Sequence, residues 1–496
     1  MPASEVRGCF LDNQYVPPAD RPTFDVIDPA DGSRVGTVVR GTKEDAAAAM
    51  ESAARAQPAW ERLGGAARGK ILLQAAERLR ARADDLARLM TREMGKVLYE
   101  ARGEVAGAID NLEYYPSFGR TLSGEEVAGL PHGQSMRLLW VPRGVVVAIT
   151  PWNFPAATVT RKIAPALLGG NTMVLKPSSN TPLCSFLIAE ALRDAGLPPG
   201  VLNVVPGPGG ELGPALVGHP ECSTVTLTGS TASGIEVLRL AAPRMAKCLM
   251  ELGGKAPVLV AEDADLDWAA RATVWARFWN AGQACIAAEK CYVADAVAPK
   301  FLQKVAALTK ALRVGPGLSP GVDVGPLYSV RARDEVAKVV TKAEEQGARL
   351  VVGGASATGG PLAKGAFYLP TLVDRVEDDQ SIAQEEIFGP VLPALTFSDW
   401  DEAIERANRN QYGLSSYVFT KDADRAEQAA RELRFGETYI NRVGPETPQG
   451  YHSGFRMSGL AGEGTVWGVR DYLQLKSVYV DWKRPHVADY FLPYPD

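Results

Sequence analysis

Histidine is scarce in this chain. His132, His219, His452 and His486 are the only four among 496 residues, too few for a histidine-rich metal site and a thin supply for a Cys-His pair. Cysteine is little commoner: Cys9, Cys184, Cys222, Cys248, Cys285 and Cys291 are scattered with no C-x-x-C spacing. That pattern fits neither a zinc ribbon nor a disulfide framework, so no metal is expected and a reducing cytoplasm is the expected location. The glycine fingerprint G-x-G-x-x-G is missing, and no apolar run is long enough to span a bilayer. Met1 to Phe10 carry Glu5 and Arg7 and no apolar centre, unlike a secretory leader. A net charge of -5 argues against a nucleic-acid or acidic-membrane partner, either of which would want a basic face.

A chain of this length exceeds one hydrophobic core, so two or three domains are expected. Short strands read over Gly8–Leu11, Val26–Ile27 and Val35–Val39, punctuated by turn signals at Asp12-Asn13 and Asp31-Gly32. From Thr42 to about Tyr115 the periodicity is helical, with Thr42 and Asp45 placed as a cap. Residues 121–141 look like a protruding hairpin that faces the alternating stretch Leu473 to Trp482. The pair reads as an oligomerisation arm or a plain peripheral sheet. Strands and helices then alternate from Val145 to Val260 and again from about Ala256 to Gly436. Such alternation means β-α-β units on parallel sheets.

Several stretches could carry chemistry. Asn280-Ala281-Gly282-Gln283-Ala284-Cys285 puts a thiol just after a glycine-containing turn, although a lone cysteine usually acts as a small buried hydrophobe. Glu251 ends an apolar strand and enters the turn Leu252-Gly253-Gly254-Lys255, where burial of a carboxylate is costly without a partner or a task. Asn153, in Thr150-Pro151-Trp152-Asn153-Phe154-Pro155, has an amide able to donate to a developing oxyanion. Gly207 to Gly213 and Gly229 to Gly234 each follow a strand and open a helix, offering N–H groups to phosphate, with Lys176 ending a third strand. Taken singly, each of these is equally a turn, an Asx loop or a surface carboxylate.

In this order the pieces closely resemble the NAD(P)-dependent aldehyde dehydrogenase superfamily. The resemblance rests on Pro151-Trp152-Asn153-Phe154-Pro155, Lys176-Pro177-Ser178, Gly229-Ser230-Thr231, Glu251 to Lys255, the cysteine hexamer and Glu385-Glu386-Ile387-Phe388-Gly389-Pro390. It implies an α/β fold with a Rossmann-like cofactor domain, an α/β catalytic domain and a small β oligomerisation arm. The expected cofactor domain covers 1–120 and 142–251, with 446–467 returning to it. The catalytic domain covers 252–445 and the arm 121–141 and 468–496. A homodimer or homotetramer is implied.

The resemblance also assigns roles. Cys285 would attack the aldehyde to give a thiohemiacetal, with Asn153 and the Cys285 N–H as oxyanion hole. Hydride transfer to nicotinamide would leave a thioester, and Glu251 would activate the water that hydrolyses it. A thiol with an ordinary pKa near about 8.5 is mostly protonated at neutral pH, so a nearby base or donor is needed. Thr150, Pro151, Trp152, Lys176, Ser178, Ser179, Gly209, Gly213, Gly229, Ser230, Leu252, Glu386 and Phe388 would hold NADP or NAD. NAD-preferring members carry a glutamate where Ser179 stands; serine removes the charge that would repel a 2′-phosphate, so NADP should be accepted or preferred.

For the aldehyde, the candidates are Arg161, Trp279, Glu446 and His452. Arg161 resembles an anion-binding arginine of succinate-semialdehyde dehydrogenases, but that branch has an arginine where Trp279 stands. The segments Tyr439 to Glu446 and Gly450 to Arg456 look more like lactaldehyde and glycolaldehyde dehydrogenases, where a histidine at the His452 position binds a hydroxylated aldehyde. A short polar aldehyde similar to lactaldehyde or glyceraldehyde is therefore expected, with succinate semialdehyde and sulfolactaldehyde as alternatives. A CoA-acylating enzyme would lack Glu251, a cysteine hydrolase needs a histidine partner, and an idle scaffold would not need Cys285, Glu251 and Asn153 together.

Overall fold

The structure is a computed structural model that describes residues 6–18, 20–128, 130–482 and 492. Thr42 opens the first helix, Lys43–Arg62, through a capping box: its hydroxyl accepts the Asp45 N–H, and the Asp45 carboxylate accepts the Thr42 N–H at 2.8 Å. Helices Gly65–Arg80, Ala83–Met94 and Leu98–Tyr114 follow. The early strands divide between two sheets. Thr23–Ile27 and Arg34–Val39 pair in a small sheet with Val6–Arg7, whereas Phe10–Leu11 joins the edge of a larger one. Pattern alone gave one run of strands here, because pairing partners so distant leave no local trace.

The larger sheet has five parallel strands: Val145–Ile149, Thr172–Lys176, Leu202–Val204, Cys222–Thr228 and Lys247–Glu251. Counted in chain order they lie 3-2-1-4-5, which opens a crevice between the first and fourth at their carboxyl ends. Gly459–Leu460 adds antiparallel to Lys247–Glu251, so the chain returns to this sheet late. The second sheet has six parallel strands, Ala256–Val260, Ala288–Ala294, Thr371–Asp374, Val391–Phe397, Ser415–Phe419 and Glu437–Ile440, and one antiparallel edge strand, Arg349–Val352. Buried apolar residues on both faces give each sheet its core.

Only residues 252–255 join the last strand of the first sheet to the first strand of the second. The carboxyl edge of one sheet therefore meets the amino edge of the other, and Cys285 lies in the loop just before Ala288–Ala294 at that same edge. Gln134–Pro142 pairs over its whole length with Leu473–Asp481, and Glu125–Val127 completes this third antiparallel sheet. The expected arm's residues 483–491 and 493–496 lie outside the described residues, as do 1–5 of the expected cofactor domain. Among the described residues no helix is long and apolar enough to cross a membrane, and no group of three or more His, Cys, Asp and Glu could hold a metal ion.

Candidate active site

The turn before the thiol is left-handed. Asn280 and Ala281 have φ of 51° and 54°, and Gly282 has 74°. A non-glycine residue in that region costs roughly 1–2 kcal/mol, so neighbours must hold it. Arg277, fully buried, does so by donating to the Gly282 carbonyl at 2.8 Å, the Gly389 carbonyl at 2.6 Å and the Ala288 carbonyl at 3.0 Å. Its charge meets Glu289 at 2.8 Å, which also pairs with Lys255 at 2.8 Å and accepts the N–H groups of Ile387 and Phe388. Burial alone would raise the Glu289 pKa, but Arg277 and Lys255 outweigh it and hold it at about 2. Gly254 lets the linker pass beneath the loop, since a Cβ there would sit 2.6 Å from the Cys285 carbonyl oxygen.

Asn153 reaches this loop from the first sheet. Its amide donates to the Gln283 carbonyl at 3.1 Å, while the Asn280 amide donates to the Asn153 carbonyl at 3.2 Å and to Gln283 at 3.1 Å. Around Cys285 one wall is apolar: Phe154, Trp279, Ala284, Ile286, Ala287 and Leu414 form a single cluster with it. Trp279 stacks on Trp275 with centroids 5.2 Å apart and tilts against Phe154 at 4.9 Å.

Charge lines the other wall. Arg161 is ion-paired to Glu446, and its Nε lies 3.8 Å from Glu463. Burial would raise Glu446, yet Arg161 and then His452 hold it at about 2. The expected anion-binding arginine thus already carries a carboxylate. His452 Nδ1 lies 3.2 Å from Glu437 and Nε2 lies 3.6 Å from Glu251, and the ring interacts with the Cys285 thiol. Burial would lower the histidine pKa, but Glu437, Glu446 and Glu251 lift it well above its ordinary value. Burial raises the Cys285 thiol, and His452 offsets part of that rise.

Glu251 is the outlier. It is buried, and neither of its oxygens has a hydrogen-bond partner among the described residues. Desolvation pushes its pKa up to about 8, opposed by His452. A buried carboxylate without a hydrogen bond, facing the His452 ring at 3.6 Å, suits a base with a proton to take.

The expected cofactor residues converge on the carboxyl edge of the first sheet. Thr150, Pro151 and Trp152 follow its first strand, and Trp152 stacks on Tyr328 at 3.8 Å and meets Phe388 edge-on at 5.6 Å. Lys176 ends the second strand; its ammonium is buried, donates to the Pro177 carbonyl at 3.1 Å and has no carboxylate partner among the described residues. Burial lowers its pKa to about 8. Ser178 accepts the Asn180 N–H, and Ser179 donates to the Gly207 carbonyl at 3.1 Å. Gly209 begins the helix Gly209–Val217 near Lys176, while Gly213 lies one turn inside that helix, away from its free N–H groups. Gly229 precedes Ser230, which caps the helix Thr231–Ala241, and Leu252 packs on Gly234 of that helix. Glu386 crosses from the second sheet to accept the Gly254 N–H at 2.8 Å; burial, then Glu289, raises its pKa to about 8. An ammonium buried without a carboxylate, beside bare glycines and helix N-termini, fits a dinucleotide's phosphates and ribose hydroxyls.

Sequence reasoning missed the groups that hold this site together. Arg277, Glu289, Lys96, Glu100, Glu104, Glu437 and Glu463 look in sequence like ordinary surface charges, and Lys255 was seen only as part of a motif. One signal was available: Glu104 shares a helix face with Ala101, Val105 and Ala108, all buried.

Comparison with known proteins agrees with this geometry. The Aldehyde dehydrogenase family model matches residues 15–478. D-glyceraldehyde dehydrogenase (NADP(+)) of Thermoplasma acidophilum is 42% identical over 474 residues, covering 95% of this chain and 96% of that protein. The crystal structure of lactaldehyde dehydrogenase from Escherichia coli superposes with a TM-score of 0.93 at 38% identity, covering 96% of this chain and 99% of that one. A solved 3,6-anhydro-L-galactose dehydrogenase gives 0.94 at 36% identity, covering 96% and 100%. The chain belongs to the aldehyde dehydrogenase family. It is an oxidoreductase that uses NADP or NAD.

Proposed function

We propose that this enzyme oxidises a short, uncharged, hydroxylated aldehyde similar to glyceraldehyde or lactaldehyde to its carboxylic acid. The observation that carries this reading is the closed Arg161–Glu446 pair beside Cys285 and His452. An anionic aldehyde would have to displace a buried carboxylate, whereas a hydroxyl group can add hydrogen bonds to Glu446 and His452 without breaking the pair. The names of the D-glyceraldehyde and lactaldehyde dehydrogenase relatives support the same class.

In this mechanism the Cys285 thiol passes its proton to Glu251, which releases it to solvent before the hydrolysis step, while His452 steadies the thiolate that attacks the aldehyde carbon. The Asn153 amide and the Cys285 N–H take up the developing oxyanion. Bound along the carboxyl edge of the first sheet, a nicotinamide dinucleotide supplies the two-electron acceptor needed for a thioester to form on Cys285. Lys176, Ser178, Ser179 and Ser230 would hold its phosphate and ribose groups, Glu386 the second ribose, and Trp152 and Phe388 its cleft. Glu251 then takes a proton from water, whose oxygen displaces the thiolate. Ser179 brings no negative charge to the adenosine ribose, which favours NADP.

The parallel sheet of five strands would be the cofactor domain and the second sheet the catalytic domain. The third sheet would be the arm of a homodimer or homotetramer, a reading supported by exposed Tyr479 and Trp482. An aldehyde panel with both cofactors tests the substrate reading. Glyceraldehyde and lactaldehyde should exceed succinate semialdehyde and hexanal in kcat/KM; the reverse order would overturn it.

A further inference from the structure

Lys96, Glu100 and Glu104 follow one another at four-residue spacing, the last two on one face of the helix Leu98–Tyr114. None of them belongs to the chemistry described above, yet together they touch both loops of the reactive cleft. Lys96 and Glu104 form a fully buried ion pair. The Lys96 ammonium also donates to the Asn153 carbonyl at 3.0 Å and lies 3.7 Å from the centre of the Phe154 ring. Glu104 accepts the N–H groups of Ala156 at 2.8 Å and Ala157 at 3.1 Å, which open the helix Ala157–Leu168. Glu100 reaches the opposite loop, where its two oxygens accept the Asn280 N–H at 3.2 and 3.1 Å.

Asn280 is the first of the three left-handed residues before Cys285, and its own amide bridges Asn153 and Gln283. Glu100 thus anchors the start of the strained turn while Lys96 anchors the residue that the turn must face. An oxyanion donor is effective only when it lies about 3 Å from the place where charge develops. Besides their direct hydrogen bonds, the Asn153 and Cys285 loops, which come from different sheets, are thus both tied to the segment Lys96 to Glu104.

We propose that Lys96, Glu100 and Glu104 are positioning residues for the oxyanion hole, fixing the Asn153 amide against the Cys285 loop so that carbonyl addition is stabilised. The proposal rests on the reading of Asn153 as an oxyanion donor. Loss of one such donor costs about 100- to 1000-fold in kcat, and a misplaced one costs less.

The test uses the full-length enzyme with glyceraldehyde and NADP, and compares E100A, E100Q, N153A and the double variant E100A/N153A. E100A should lower kcat about 30-fold and leave dissociation of the reduced cofactor NADPH, read by its nicotinamide fluorescence, within about twofold of the parent. E100Q keeps an oxygen acceptor for the Asn280 N–H and should recover to within about fivefold. The double variant should be no slower than N153A alone, because both changes remove the same stabilisation. Multiplicative losses in the double variant, an unaffected kcat in E100A, or a parallel loss of NADPH affinity would each overturn the proposal. An unaffected kcat in N153A would instead overturn the oxyanion reading beneath it. If E100A does not yield folded enzyme, E100D, which draws the carboxylate back by one methylene, is read by the same criteria.

Discussion

Glu251 and Glu289 are both buried carboxylates at the seam between the sheets, and their surroundings could hardly differ more. Glu289 touches two cations and two backbone N–H groups, and its pKa is held at about 2. Glu251 has no hydrogen bond among the described residues and is pushed up to about 8. A fully partnered buried charge fixes geometry. A buried carboxylate without a hydrogen bond holds a proton more tightly than a solvated one. Through Arg277, the first holds the turn before Cys285.

The strongest way to break the contrast is Glu251→Gln. Steady-state turnover should fall by about 10³-fold or more, since general-base help is lost from thioester hydrolysis. A pre-steady-state burst of reduced cofactor should persist, and a normal steady-state rate would remove Glu251 from the mechanism. The same change should stabilise the fold. The raised pKa means that the unfolded chain releases a proton the folded chain keeps, so stability falls as pH rises from about 4.5 to about 8. The gain in Tm for Glu251→Gln should therefore be larger at pH 8.5 than at pH 5.

Glu289→Gln strikes the other member. Breaking a buried ion pair from one side costs about 3–5 kcal/mol, because Arg277 and Lys255 are left without their counter-charge. A lowered denaturation midpoint, with residual activity falling alongside it, is expected; an unchanged midpoint would show that the network does not hold the loop. Its pH dependence has the opposite sign to that of Glu251. The depressed pKa gives stability that is present above about pH 4.5 and lost as pH falls toward about 2.

A smaller effect sharpens the comparison. kcat should rise with pH through about 8 as Glu251 becomes charged. Because His452 lowers the Glu251 pKa, His452→Gln should move that limb upward, and a limb that stays put would separate the two groups. Smallest of all is Ser179→Glu, which should shift the NADP-to-NAD ratio of kcat/KM toward NAD by about tenfold or more through repulsion of a 2′-phosphate.

Much of the framework was legible in the chain. The strands Thr172–Lys176 and Lys247–Glu251 and the helix Trp400–Asn408 fall where apolar pattern and caps place them, because local periodicity and burial agree there. Glu251 was singled out at the end of an apolar strand, Asn153 after one, and Cys285 after a glycine-containing turn. Arg161 was recognised, but its closure by Glu446, 285 residues away, was not.

Residue type and local pattern were enough to single out a thiol, a carboxylate and an amide near the ends of short-ranged elements, and the motif order was enough to give the class of chemistry expected of them. Which charges are silent follows from packing between distant segments. Lys96, Glu100, Arg277 and Glu289 carry the same side chains as dozens of surface residues, and what sets them apart is burial against partners brought together from distant parts of the chain. Desolvation and pairing depend on that long-range assembly, so the same carboxylate chemistry gives a strut at Glu289 and, in the proposed mechanism, a base at Glu251.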